Sequence, residues 1–291
     1  MMTLRKRRII LVVCILVFLL LMPLILLYTT GWRWDRKLGL YKTGGLYISS
    51  PLTDSKIFIN SNLEKETNIL QGGIFLQSLK PGKYSILVDK EGYWPWQKNL
   101  FVKEQLVTEA RAMLIPKEPR GNVILRENYS PLEISKYDEI LAGLKTLRQP
   151  LKLPKTKQAT TTPEEIARYT RFTSDQKEKL WWDPKTNKIW IEWLAGKESL
   201  PYFFCDDSSC NEKVLVHTSK FNIKNVDFYP KRKDVVLFAV QNGVYAIEID
   251  GRDGRAIQPI YKGKEPIFTI YKNDKSVYIL DEDNLIEIKL E

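Results

Sequence analysis

The chain has 291 residues, with 45 Lys or Arg against 35 Asp or Glu, and a formal net charge of +10. Aromatic residues make up 11%, including eight Trp and 14 Tyr, which is ample material for packed cores and excludes a wholly disordered chain. There is one histidine and no recognised nucleic-acid motif, so neither a metal centre, another cofactor nor nucleic acid is expected.

Residues 9–28 form an unbroken apolar run, entered through Arg5, Lys6, Arg7 and Arg8. Twenty residues at 1.5 Å each give ~30 Å, the thickness of a bilayer's hydrocarbon core. A cleaved signal peptide would be shorter and would end in small residues; here the run ends in Tyr28, with Trp32 and Trp34 close behind, as suits a lipid–water boundary. A soluble helix would need a polar face, and this run has none. Pro23 is expected to kink the helix without breaking it. Basic flanks resist translocation, so residues 1–8 are expected to stay cytoplasmic and everything after the span to lie outside the membrane. With those four cations set aside, 41 basic residues face 35 acidic ones, or +6. That mild excess suits either a plain solvated surface or contact with anionic wall polymers or headgroups.

After a connector at 29–43, short strands are predicted at 46–48, 56–60, 74–76, 84–90, 99–102 and 106–115, separated by Pro/Gly turns. Such spacing indicates a small β-sandwich over residues 44–117. Ser50-Pro51 opens a turn before Ile57-Phe58-Ile59, and then comes Leu79-x-Pro81-Gly82-x-Tyr84-x-Ile86-x-Val88-x-Lys90-x-Gly92-Tyr93. This stretch resembles a PEGA domain, with Pro51-Leu52-Thr53-Asp54-Ser55 standing where the family has its name-giving tetrapeptide. The resemblance implies a non-catalytic surface module of bacterial envelopes, tethered to other domains.

Residues 118–165 read as a linker with a strand near 122–125, a short helix within 131–147, a polar loop at 158–162 and a helix start at Thr162-Pro163-Glu164-Glu165. Residues 166–291 return to β. An aromatic strand, a charged turn, a buried strand and an amphipathic strand recur about three times, at a period of ~40–50 residues. The matching features are Thr173-Ser174-Asp175 before Leu180-Trp181-Trp182, Phe228-Tyr229-Pro230 before Val235-Val236-Leu237, and Asn273-Asp274 before Val277. They resemble a degenerate WD40- or TolB-like propeller repeat array. Three blades are visible where four are commonly needed, so the array is expected to be partial, or completed by residues 118–150 or by a partner. The overall expectation is a mainly β protein with a transmembrane helix, a PEGA-like sandwich and a propeller-like array.

Cys205 and Cys210 frame a short acidic turn, with a hairpin expected from 201–205 and 213–217. Outside the cytoplasm such a pair is most simply a disulfide; C-x-x-C is the commoner redox spacing, and a metal site would need two more ligands. No nucleophile motif or phosphate-cradling glycine loop occurs, and His217 sits at a strand end. Trp94, Trp96, Trp181 and Trp182 are candidate platforms for a glycan or a protein, core packing being the plain alternative. The expected function is therefore an anchored, non-catalytic binding or scaffold protein for an envelope protein or anionic polymer. The alternative is an envelope hydrolase acting on wall glycans or peptides through carboxylates of the repeat region.

Overall fold

The computed structural model describes residues 4–36, 39–124, 131–149, 168–271 and 275–290. The expected loop at 158–162, the helix start at Thr162 and the Asn273-Asp274 turn lie outside the described residues. The first element is a 26-residue helix, α1 (Leu4–Thr29), continuous through Pro23. Its apolar side chains are exposed all round, and it is the one described helix long and apolar enough to cross a membrane. Thr30 donates its hydroxyl to the Leu26 carbonyl at 2.7 Å, and Gly31, at φ +86°, ends the helix. Arg33 stands 3.7 Å over the Tyr28 ring and donates to the Tyr28 carbonyl at 2.7 Å.

The connector is ordered. Strands β1 (Trp32–Asp35) and β2 (Gly39–Lys42) form a hairpin, docked on the neighbouring β-sandwich by an Asp35–Lys80 ion pair at 3.0 Å. Seven strands build that sandwich: β3 (Gly44–Ser49), β4 (Lys56–Ile59), β5 (Asn62–Glu66), β6 (Gly73–Leu79), β7 (Gly82–Asp89), β8 (Trp96–Val102) and β9 (Val107–Arg111). One sheet has the order β6-β3-β9, with β3 and β9 parallel; the other has the order β5-β4-β7-β8. Alternation directs Leu46, Ile48, Ile57, Ile86, Val88 and Leu100 inward. A Cβ on Gly44 would meet the Lys103 carbonyl oxygen at 2.2 Å, so this crossing requires glycine. Past β9 the alternation stops: Ala112, Met113, Leu114 and Ile115 are all buried, as the chain runs between the sandwich and the rest.

Next in the chain are two linker elements, β10 (Arg120–Val123) and helix α2 (Pro131–Arg148). Three four-stranded blades then appear. The first is β11 (Thr170–Phe172), β12 (Glu178–Asp183), β13 (Lys188–Trp193) and β14 (Lys213–Thr218). The second is β15 (Asn225–Phe228), β16 (Val235–Val240), β17 (Gly243–Glu248) and β18 (Ile257–Lys262). The third has β19 (Ile267–Ile270), β20 (Ser276–Asp281) and β21 (Asn284–Lys289), and takes its outermost strand from β10, with Arg120 opposite Lys289. A strand that precedes all the blades thus completes the last one.

Blades one and two pack through Leu180, Trp182, Ile191, Val226, Val236 and Phe238. The far face of blade three is covered by α2 through Ile140 and Leu144 against Tyr278, Leu280 and Leu285. Arg168, just before blade one, donates to the Leu147 carbonyl at 2.5 Å, so α2 spans from the last blade back to the first. The expected strand at 201–205 is absent; Tyr202–Phe204 is a single tight helical turn instead. Pro201, which has no N–H to give a ladder, sits at its start.

The sandwich does not stand apart from the blades. Leu46, Leu100 and Ile115 share one continuous core with Val235, Leu237, Ala246 and Val277 of blades two and three. At that seam the Lys98 ammonium is fully enclosed. It donates to the carbonyls of Asp250, Arg252 and Gly254 at 2.9, 2.7 and 2.7 Å, and lies 3.1 Å from the Glu248 carboxylate. Every proton of the buried charge therefore has an acceptor.

Candidate functional site

The turn between β15 and β16 is where the sandwich and all three blades meet. Tyr229, Pro230 and Lys231 lead it, with Lys231 held at φ +58°. The left-handed conformation is uncommon for a lysine and is fixed here by backbone bonds from Arg232 N to Tyr229 O at 3.0 Å and Tyr229 N to Val235 O at 2.9 Å. Arg232 turns inward. Its guanidinium donates to both Asp234 carboxylate oxygens, at 3.0 and 2.5 Å, and to the Ala112 carbonyl at 2.9 Å. Burial alone would raise the Asp234 pKa, but the guanidinium outweighs it and holds the carboxyl below the usual range.

Three clefts open around this turn. The largest, of about 530 Å³, lies between Phe172–Ser174 of blade one, the turn itself and Ile270 of blade three. A second, of about 420 Å³, runs between the outer face of β9 and the blades, past Tyr47, Arg111, Tyr202 and Lys233. The third, of about 240 Å³, is walled by Leu52, Leu114 and Leu290 and carries Arg111, Lys231, Arg232 and Lys275. Lys233 pairs with Asp175, whose carboxyl is pulled down to about 2, first by Lys233 and then by Thr173. The two larger clefts mix these cations with Asp227, Glu109 and Asp234, whereas the charged lining of the smallest is basic among the described residues.

The sequence-predicted residues fall elsewhere. Arg5, Lys6, Arg7 and Arg8 are exposed in the first turns of α1, and Trp32 and Trp34 belong to β1, with Trp34 76% exposed. Trp96 and Trp182 are not platforms: they are 1% and 2% exposed, core residues between sheets. Trp96 donates its indole N–H to Glu248 at 2.9 Å across the seam, a role available only once the sandwich and blade two are in contact. Trp94 is half-buried beside a separate cavity of about 490 Å³ lined by Lys117 and Tyr261. Trp181 does reach the surface. It lies nearly parallel to Trp190, 12° and 6.4 Å between ring centroids, with Lys213 5.0 and 5.1 Å over the two rings. Cys205 and Cys210 are joined by a disulfide with an S–S distance of 2.05 Å, around a loop in which Asp206 accepts from the Ser208 and Ser209 amides. His217 packs on Phe238 at 5.1 Å, and burial lowers its pKa. Among the described residues no three His, Cys, Asp or Glu come together as metal ligands.

Sequence reasoning placed the Tyr229–Asp234 segment at a turn but did not assign it a role. The signal it carried was Lys231-Arg232-Lys233, three consecutive cations at a hairpin tip. Arg111 and Lys275 come from distant parts of the chain, and only the fold brings them there.

The fold and junction define the class: a mainly β protein with one apolar N-terminal helix and a propeller-like array. No protein-family model matches the chain, and no curated protein matches it in sequence. Among solved structures, the chain is similar to the β-propeller domain of Cps50 (Swd1) from Myceliophteria thermophila, at 9% identity and a TM-score of 0.31, covering 73% of this chain and 68% of that one. It is similar to KlAtg21, solved in complex with the coiled coil of AgAtg16, at 11% identity and a TM-score of 0.26, covering 88% and 83%. A third is a Bacteroides fragilis protein described as membrane-associated and of unknown function, at 10% identity and a TM-score of 0.21, covering 84% and 94%. At such scores these likenesses carry no functional argument, and the architecture rests on the strand pairings above.

Proposed function

We propose that this chain is a single-pass, membrane-anchored binding or scaffold protein of the bacterial envelope, non-catalytic, with its N-terminus cytoplasmic and its β body outside. In this reading residues 44–117 are a PEGA-like module, and they and the propeller-like repeats together present a surface to an envelope protein or an anionic polymer. The observation that carries it is the junction: Arg111, Lys231, Lys233 and Lys275 gather, with Glu109 and Asp234 among them, on clefts where four sheets meet. An excess of basic groups along such clefts suits an extended acidic partner, whose charges they attract over a Debye length before contact. The basic entry to α1 and the disulfide support the orientation.

The test uses the full chain in nanodiscs of zwitterionic lipid. Retention on purified envelope material should fall at least tenfold when Arg111, Lys231 and Lys233 are together neutralised to Gln, Asn and Gln. Failure of the unaltered protein to be retained on any envelope fraction would contradict the reading.

A further inference from the structure

We propose that the cavity of about 240 Å³ between the sandwich, blade two and blade three is a phosphate-binding site. The inference rests on the reading of the junction as the binding surface, and goes further by naming the group it takes. Four basic side chains line this cavity, Arg111, Lys231, Arg232 and Lys275, and no carboxylate among the described residues does; Arg232 and Lys275 already have interactions of their own, which leaves Arg111 and Lys231 to meet a ligand. Arg232 already has its charge matched by Asp234 and its orientation fixed by the Ala112 carbonyl. It is thus a rigid wall and not a mobile surface cation. Arg111 and Lys231 make no ion-pair contact among the described residues, Arg111 acting on the Asp234 carboxylate only through its field, and both are exposed at the rim.

A group that answers two or more gathered cations in so small a space should be compact and carry more than one negative charge or several acceptor oxygens. Phosphate meets this where a lone carboxylate does not, and guanidinium forks match its oxygens. Leu52, Leu114 and Leu290, with Pro51, Tyr229 and Pro230, line the rest of the cavity, an apolar wall beside which a short carbon backbone can lie.

The cavity and the anchor lie at opposite ends of one strand of the sandwich. The anchor joins the sandwich at the Gly44 and Leu79 ends of β3 and β6, through Thr43 N to Gly31 O at 2.9 Å and the Asp35–Lys80 pair. Arg111 is opposite Ser49 at the other end of β3, and Pro51 and Leu52 lie just beyond it. Six residues of strand place the cavity about 20 Å from the attachment end. In this proposal the source lies beyond the headgroups of the bilayer that holds α1. The phosphate is presented by a phosphodiester polymer of the envelope or by a small soluble phosphate.

The test is saturable binding to the full chain in nanodiscs, followed by ³¹P line broadening for inorganic phosphate and by competition with poly(glycerol phosphate). Polyglutamate of matched charge is the third arm. Lys231→Asn removes a charge while tolerating the left-handed backbone, and Arg111→Gln alters an exposed side chain, so both variants should fold with unchanged melting temperature. The expected result is phosphate binding that weakens at least tenfold in the double variant. Competition by poly(glycerol phosphate) identifies the polymer as the source, and its failure identifies the small ion. Absence of saturable phosphate binding, or binding indifferent to both substitutions, overturns the site. If polyglutamate then binds and is lost in the same variants, the junction still functions as an anionic-partner surface and only the phosphate inference falls.

Discussion

Glu178 shows how much a single side chain can reveal. It is fully buried at the start of β12, and neither carboxyl oxygen has a hydrogen-bond partner among the described residues. Burial pushes its pKa up to about 8, Asp175 and Asp234 adding to the rise and Lys233 opposing it. The folded chain therefore keeps this proton at neutral pH, while the unfolded chain, near 4.5, does not. Stability from this group is fully present below about 4.5 and is lost as pH rises towards about 8. Glu178→Gln should leave stability at pH 4 nearly unchanged and raise it at pH 8 by on the order of a few kcal/mol. Thermal unfolding between pH 4 and 9 reads this directly, and a variant as pH-dependent as its parent would refute the assignment. Lys98 is the opposite case, a buried charge with every proton accepted. Lys98→Met leaves Glu248 buried beside an apolar side chain and should cost about 3–5 kcal/mol. Adding Glu248→Gln should recover part of the loss, which denaturant titration of the single and double variants measures.

Elements differ in how far local chemistry determines them. Strands β7 and β16 are visible in the sequence because runs such as Tyr84–Val88 and Val235–Val240 are rich in branched and aromatic residues between turn signals. Strand β5 is not, since Asn62–Glu66 is mostly charged and exposed; it is an edge strand, specified by its pairing with β4. Strand β10 was legible as a strand, but its partner β21 lies more than 150 residues away, and no local pattern encodes that pairing. The same holds for the site: the cations of the turn are contiguous in sequence, whereas Arg111 arrives by topology. The disulfide turn was legible because Cys spacing and expected compartment pointed the same way. Replacing Cys205 and Cys210 by Ser should cost about 2 kcal/mol, the entropy of closing so short a loop, with the blades otherwise intact. Loss of all β signal in circular dichroism at 25 °C would show that the turn does more than close a loop.

At the level of the whole molecule, the shared core across the seam means that sandwich and blades should unfold together. Calorimetry of the full chain should give one principal transition for the β body; two transitions separated by more than ~10 °C would mean that the modules are independent. Cooperative coupling also gives the junction its rigidity, because the turn carrying Arg232 is braced from the sandwich by Ala112 and from blade two by Asp234. Placement of that body outside the cytoplasm is the claim on which the envelope partner, the disulfide and the phosphate site all depend. Ile69 is 91% exposed on a loop of the sandwich, and Cys14 lies within α1, so an Ile69→Cys variant offers one accessible thiol outside the disulfide. Intact spheroplasts treated with a membrane-impermeant maleimide should label this variant fully, before any lysis. Labelling that appears only after the membrane is broken would put the β body in the cytoplasm and contradict the account.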